Sequence, residues 1–362
     1  MMKTKDCQLA LLAMAIGFIE DVLHFLQVDK PIFVIQSIMV TTWPQFKEQG
    51  RCSNNTENVF YISAFAISKT GQCLLFTAVL LIYLMTVFGN VTIAVLVCWV
   101  SHLHTPMYFF LSNLAISDVM YVSATLPKLL SILLTQDHWI SFSACMTQVY
   151  FFSLSVGCDI FILTSMAYDR YVAICKPLQY SLLMSKDVCI SLVLSTWLIS
   201  VTNSIINVLS TSLLSYCLTQ NVDHFFCNMK DLYAITSSDA TSRNIFLLCQ
   251  DAVLAVFPFL LIMTSYVFII STILKIRSSE GRLKAYSSCT SHLTTVILFY
   301  GPIIIIYGKP ESESSKELDK LLTLLYTAVV PMLNPFVYSL RNQDVLNAIK
   351  NIKRKRNLIF LK

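Results

Sequence analysis

The chain has 362 residues, 56% of them hydrophobic and only 13% charged, a balance that excludes an ordinary soluble domain. Its formal net charge of +5 comes mostly from lysine and arginine gathered in a few short segments, which excludes a nucleic-acid footprint. The apolar residues lie in runs of about 20 or more, long enough to cross about 30 Å of hydrocarbon as helix. They lack the alternation of strands, and lipid leaves the backbone no choice but helix or closed barrel. Seven runs stand out: Leu74–Trp99, Pro106–Leu126, Cys145–Tyr168, Val188–Leu214, Ile245–Ile276, Ala285–Tyr307 and Leu318–Tyr338. The sequence therefore predicts an all-α membrane protein, a seven-transmembrane helix bundle.

Orientation follows from the basic residues. With the N-terminus outside, Arg170, Lys176 and Lys186 fall in the second inner loop, and Lys275, Arg277, Arg282 and Lys284 in the third. Arg341, Lys350, Lys353, Arg354, Lys355 and Arg356 fall in the tail, while the outer loops hold most of the acidic groups. The expectation is an outer N-terminus and a cytoplasmic C-terminus. It divides the chain into an extracellular segment 1–73, a membrane domain 74–341 and a short cytoplasmic tail 342–362.

Within the first segment, Leu9–Ile19 is apolar after Lys3 and Lys5, in the manner of a signal peptide. Glu20 and Asp21 follow at once, with no small-residue cleavage site, so residues 1–45 also read as an atypical extension. Asn54-Asn55-Thr56 is a glycosylation sequon on the outer side, which marks Asn54 as an acceptor. The first span carries Gly89 and Asn90 at mid-depth, a small residue for close helix approach and an amide for a neighbouring helix. Pro106 opens the second span, where a missing N–H costs nothing.

The second span buries Asp118 and the third buries Asp159, eleven residues before Arg170 and so about 16 Å away along the helix. Two intramembrane carboxylates need partners. Proton or cation binding is favoured over hydrogen bonds to Asn90, Ser155 and Asn334 alone. Arg170 closes the third span beside Asp169, which can hold the guanidinium in a charge-assisted pair until something competes for it. Cys145 and Cys227 both face the oxidising side in this topology, which allows a bridge between them. The fifth span contains Pro258, the sixth reaches Gly301-Pro302, a predicted bend, and the seventh contains Asn334-Pro335. Val345, Leu346, Ile349 and Ile352 then recur at helical spacing, as in an amphipathic helix on the membrane face.

Five stretches in order carry a family likeness: His104-Thr105-Pro106-Met107-Tyr108, Met166-Ala167-Tyr168-Asp169-Arg170-Tyr171, Ser265-Tyr266, Lys284-Ala285-Tyr286-Ser287-Ser288-Cys289-Thr290-Ser291-His292-Leu293, and Pro331-Met332-Leu333-Asn334-Pro335. From about Leu74 to Asn351 the chain resembles rhodopsin-like G-protein-coupled receptors, and among them the olfactory receptors. The resemblance implies an activation switch of Asp169, Arg170, Tyr171, Tyr266, Asn334, Pro335 and Tyr338. It also implies a Cys145–Cys227 disulfide, and for Asp118 and Asp159 a likeness to the sodium site of related receptors. No other cofactor is implied.

The partners implied are a small hydrophobic odorant, a stimulatory olfactory-type heterotrimeric G protein that raises cyclic AMP, and membrane lipid, with no nucleic acid. The expected location is the plasma membrane, in the cilia of olfactory neurons. Candidate ligand contacts are Phe152, Ser153, Val156 and Gly157 on the third span, and Gln250 and Leu254 on the fifth. Tyr300, Ile303, Ile304 and Tyr307 on the sixth and Tyr326 on the seventh complete them, lining a mostly apolar cavity. One departure from the family is Ser237, where a second loop cysteine is usual. It leaves Cys217 free or paired with Cys52 or Cys73.

A receptor for another small ligand keeps the same fold, although the third span lacks an outer carboxylate for an amine. An ion-coupled transporter fits poorly with seven spans and no internal repeat. No phosphate loop, metal cluster or nucleophile–base pair points to an enzyme.

Overall fold

The structure, a computed structural model, describes residues 59–214, 216, 220–236, 249, 250, 252–307 and 316–339. Asn54, Cys52, Cys217, Ser237 and the amphipathic tail lie outside these residues. Seven helices are long and apolar enough to cross a membrane. They are α1 (Lys69–Trp99), α2 (Pro106–Thr135), α3 (Phe142–Cys175), α4 (Lys186–Ser212), α5 (Phe257–Leu274), α6 (Ser279–Tyr307) and α7, which begins at Lys316 and ends at Ser339.

Several helices start earlier than hydropathy alone indicates, because polar caps lie beyond the apolar runs. Ser68 accepts a hydrogen bond from Gly71 N at 3.3 Å, Ser141 from Ala144 N at 3.3 Å, and Ser185 from Val188 N at 3.4 Å. Each satisfies one of the backbone donors that a helix N-terminus leaves open. Two departures from α geometry were not legible in the sequence: a π-turn at Ala252–Val256 leading into α5, and another at Leu325–Val329 within α7. Such bulges recur at functional sites. The α6 helix continues through Gly301-Pro302, and α7 through Pro335.

Helices α2 and α3 are the most enclosed, and α4 and α5 the least. Apolar side chains such as Leu81, Phe88, Leu198 and Phe268 point away from the bundle, as a hydrocarbon solvent permits. Two glycines sit where neighbouring helices come close. A Cβ on Gly89 would meet Pro335 Cγ of α7 at 3.2 Å, and one on Gly157 would meet Ser200 Oγ of α4 at 2.8 Å and its Cα at 3.4 Å. Gly157→Leu therefore forces α3 and α4 apart. The expected loss is about 1–3 kcal/mol, read as a lower thermal midpoint of the purified protein.

At the Cys145 end of the bundle sits a small sheet that the hydropathy pattern did not announce. Strand β1 (Val59–Ile62) is central, antiparallel to β2 (Trp139–Ser141) and parallel to β3 (Asn221–Val222). Lys128 near the end of α2 is buried, and its Nζ donates to the carbonyls of Asp137 at 3.1 Å and Trp139 at 2.7 Å, fixing the approach to β2.

Candidate functional site

Three clusters carry the polar chemistry, one at each end of the bundle and one midway.

At the far end from the sheet, Asp169 is fully buried, and its Oδ2 accepts from Arg170 Nε at 3.0 Å and Nη2 at 2.5 Å. Its other oxygen accepts from Tyr180 OH at 2.7 Å, so both carboxylate oxygens are engaged. Burial and the adjacent Asp169 carboxylate push the Tyr180 phenol upward, so it stays protonated and donates. Arg170 keeps 16% of its side chain exposed, enough for another partner to compete for the guanidinium. Tyr171 lies beside Phe268 of α5, with Lys176 Nζ 5.9 Å from its ring centroid.

A few residues deeper, Tyr266 on α5 is joined to His292 on α6 and through it to α3. His292 is fully buried; its Nε2 lies 3.0 Å from the Leu163 carbonyl and its Nδ1 2.7 Å from Tyr266 OH. A carbonyl can only accept, so Nε2 carries a proton, while Tyr266 OH lies within hydrogen-bond reach of both Nδ1 and, at 3.3 Å, the Cys289 carbonyl. Three helices are tied by one imidazole. Sequence reading passed over His292 as part of a motif. The signal available was a lone histidine in an otherwise apolar span.

Midway along the bundle, Asn334 on α7 donates through Nδ2 to both oxygens of Asp118, at 3.1 and 2.9 Å. Asn90 does not join them: its amide donates to the carbonyls of Thr86 and Pro331, each at 3.0 Å, and so ties α1 to α7. Asp118, Asp159 and Asn334 line one small cavity with Tyr121, Thr295 and Tyr326. About 10 Å³ is open to the centre of a water-sized sphere, room for one water or one small ion and too little for an odorant. Asp159 Oδ1 and Asn334 Oδ1 are buried without a hydrogen-bond partner among the described residues. Two carboxylates and an amide oxygen form an all-oxygen donor set suited to a hard cation, so the residues fit sodium.

At the sheet end, Cys145 and Cys227 are joined by a disulfide with a Cα–Cα distance of 5.5 Å. Gln148 reinforces it, accepting from Cys227 N at 2.7 Å and donating to the Ala124 carbonyl at 2.8 Å. Cys73 carries a free thiol, and Cys217, its suggested partner, lies outside the described residues.

The expected ligand contacts do not form one group. Phe152 lies between Tyr121 and Phe226, at ring-centroid distances of 5.5 and 4.9 Å, and Ser153 Oγ is 3.9 Å from Met229 Sδ. Tyr300 packs on Phe259 at 4.8 Å with a buried hydroxyl that has no hydrogen-bond partner among the described residues. Val156 and Ile303 are half-buried against the core, and Leu254 is half-buried on the π-turn. Gly157 instead faces α4. Gln250 is also turned to α4, donating to Asn203 Oδ1 at 2.7 Å and Asn207 Oδ1 at 2.6 Å. Ile304 is 55% exposed on the bundle's rim, because adjacent helical residues point about 100° apart and Ile303 takes the inner direction. Tyr326 joins the buried acids. The side chains of Tyr307 and Tyr338 lie outside the described residues.

The family profile described as "Olfactory receptor" matches residues 79–356. Olfactory receptor 1E16 of Mus musculus is 42% identical over 299 residues, covering 83% of this chain and 95% of the relative. The chain belongs to the olfactory receptor family. Olfactory receptor 5AR1 of Mus musculus is 45% identical over 285 residues, 79% of this chain and 92% of its own. Olfactory receptor 1E1 of Homo sapiens is 42% identical over 301 residues, 83% and 96% respectively. With its seven membrane-length helices, this olfactory receptor is a multi-pass membrane protein.

Proposed function

We propose that this olfactory receptor binds small hydrophobic odorants within its helix bundle and activates a stimulatory olfactory-type G protein, raising cyclic AMP. The observation that carries the reading is the Asp169–Arg170–Tyr180 cluster: a guanidinium held by one carboxylate at the end of the central helix. An odorant shifts the equilibrium only by binding the open state more tightly than the closed one. Opening separates α3 from α5 and α6 and frees Arg170 for the G protein. The Tyr266–His292–Leu163 chain spans those three helices and must rearrange with them. Basic residues near Arg170 support a cytoplasmic placement of that end and an outer placement of the disulfide, in the plasma membrane of olfactory cilia.

Phe152, Ser153, Val156, Tyr300 and Ile303 remain the strongest ligand contacts in this reading, since each packs against aromatic, thioether or core side chains of the bundle. Gly157, Gln250, Leu254, Ile304 and Tyr326 require a rotated helix or a roomier state to join them. Asp118 and Asp159 would hold sodium, with Asn334 Oδ1 as a third donor, and the ion's charge would offset two carboxylates brought into hydrocarbon. Sodium in place of choline at equal ionic strength is expected to raise the thermal midpoint of the purified receptor by several degrees. Asp159→Asn is expected to remove the difference. An equal midpoint in both salts argues for protons on the carboxylates instead.

The test of the whole reading is cyclic AMP in cells expressing the chain with an olfactory-type G protein, across an odorant panel, with surface staining in parallel. A ligand-dependent rise supports it. Silence with full surface staining argues for another ligand class or another G protein.

A further inference from the structure

Lys320 lies at the start of the second turn of α7, and its side chain is only 5% exposed although it carries a full ammonium. A buried cation needs partners, and this one has three from three parts of the chain. Nζ donates to Asp223 Oδ1 at 2.6 Å, to Glu317 Oε1 at 3.0 Å and to the Ala64 carbonyl at 3.2 Å. The sheet explains the convergence. Strands β1 and β3 run parallel with Ile62 opposite Val222, so they end side by side. Asp223 is the next residue after β3, and Ala64 comes two residues after β1. One ammonium thus closes the ends of both strands and anchors them to α7. The neighbouring His224 offers no competing charge, because burial holds its imidazole down to about 3.

From Asp223 a strap of five residues runs to Cys227, where the disulfide and Gln148 fix it to α3. Phe225 and Phe226 within the strap are fully buried. Phe226 packs on Phe152, and Phe152 on Tyr121, which lines the mid-bundle cavity. Tyr326 lines the same cavity from α7, six residues after Lys320. The strap therefore links the ends of α3 and α7, and both of its anchors lead to the same interior.

The geometry points to Lys320 as a positioning residue for ligand binding, holding the strap over the sheet end of the bundle so that release of its contact with Asp223 opens the interior. The ligand part of this inference rests on the odorant-receptor reading; the strap's attachment does not. Without the ammonium, the strap keeps its covalent anchor on α3 and, on α7, only the longer contact of the exposed Lys316 with Asp223 at 3.9 Å, whereas Asp223→Asn weakens both. Bound ligand then leaves faster, while the Arg170 end is untouched.

Residue-resolved hydrogen exchange on the purified full chain in lipid discs tests the attachment. The amides of Tyr61 and Ser63 bond to Gln220 and Val222 on the β3 side, and that of Ile62 bonds to His138 on the β2 side. In Lys320→Met and in Asp223→Asn, exchange at Tyr61 and Ser63 is expected to quicken at least ten-fold, with Ile62 little changed. Restoring the pair in reversed order, Lys320→Glu with Asp223→Lys, is expected to slow them again. Asp223 is 45% exposed, so its substitution tests the idea even if Lys320→Met fails to fold. Unchanged exchange in Asp223→Asn, or equal quickening at all three amides, overturns the attachment.

The cyclic AMP arm tests the role. The half-maximal odorant concentration is expected to rise at least five-fold in either single variant, to recover in the reversed pair, and to leave the maximal response unchanged. A half-maximal concentration that does not move in Asp223→Asn overturns the positioning role. If the unsubstituted chain answers no odorant, the receptor reading fails, and the exchange result still decides the strap.

Discussion

Arg170→Ala abolishes the odorant-driven rise in cyclic AMP, lowering the maximal response at least ten-fold, while surface staining stays near that of the unsubstituted chain. The two halves of this expectation have separate causes. Removing a partner from a buried charge pair is ordinarily costly, because the remaining charge is stranded. Here Asp169 keeps the Tyr180 hydroxyl at 2.7 Å, and the Arg170 side chain is itself partly exposed, so the fold survives the change. Signalling does not survive it, since no other described cation contacts Asp169 and no neutral side chain can replace a guanidinium against an acceptor surface. Asp169→Asn is the complementary variant. It frees the guanidinium in the absence of ligand and is expected to raise basal cyclic AMP several-fold. A response from Arg170→Ala equal to that of the unsubstituted receptor would remove Arg170 from the mechanism.

Cys145→Ser is expected to deplete the receptor from the cell surface by most of its amount, and Cys227→Ser to do the same. The bridge closes a loop of 82 residues, for which chain-entropy reasoning assigns about 4–5 kcal/mol. It also places Cys227 N on Gln148 and seats Phe225 and Phe226 against the bundle, so its loss exposes apolar surface at the sheet end. The double variant is the discriminating control. If the bridge acts as a unit, removing both cysteines costs no more than removing one, whereas independent packing roles would add. Surface staining of the three variants, read with the half-maximal odorant concentration of whatever reaches the surface, decides between them. Equal staining in all forms would make the disulfide dispensable for folding.

What hydropathy shows is how many helices there are and roughly where each one lies. Lipid forces every polar backbone group into a helix, so an apolar run of membrane length has a single outcome. Within the described residues all seven runs became helices; serine caps and polar first turns extend several at their starts, and α2 and α3 run on past the apolar stretch to Thr135 and Cys175. The costly residues were legible for the same reason. Asp118, Asp159 and Arg170 stand out because a charge in hydrocarbon must be held by something. Asn334 was one of the partners anticipated for the acids, and it does hold Asp118, whereas Asn90 turned to the backbone carbonyls of Thr86 on its own helix and Pro331 on α7.

Helix rotation was not legible. In a soluble protein the polar face marks the outside, but here the outside is as apolar as the core, so the amphipathic signal is weak. Ile303 and Ile304 read alike in sequence, and only packing turned one inward and the other to the rim. The same loss of signal hid the turn of Gln250 toward Asn203 and Asn207, and the place of Tyr326 beside the buried acids. Lys320 was hidden for a different reason. As a basic residue in a loop-proximal stretch it looks like one more solvated charge, and its partners lie 97 and 256 residues away along the chain at Asp223 and Ala64. The sequence by itself determined the seven helices, the family and the charged residues the membrane must accommodate. Only the tertiary structure decided which faces meet and which distant groups share one ammonium, because those choices depend on how helices rotate and loops return in three dimensions.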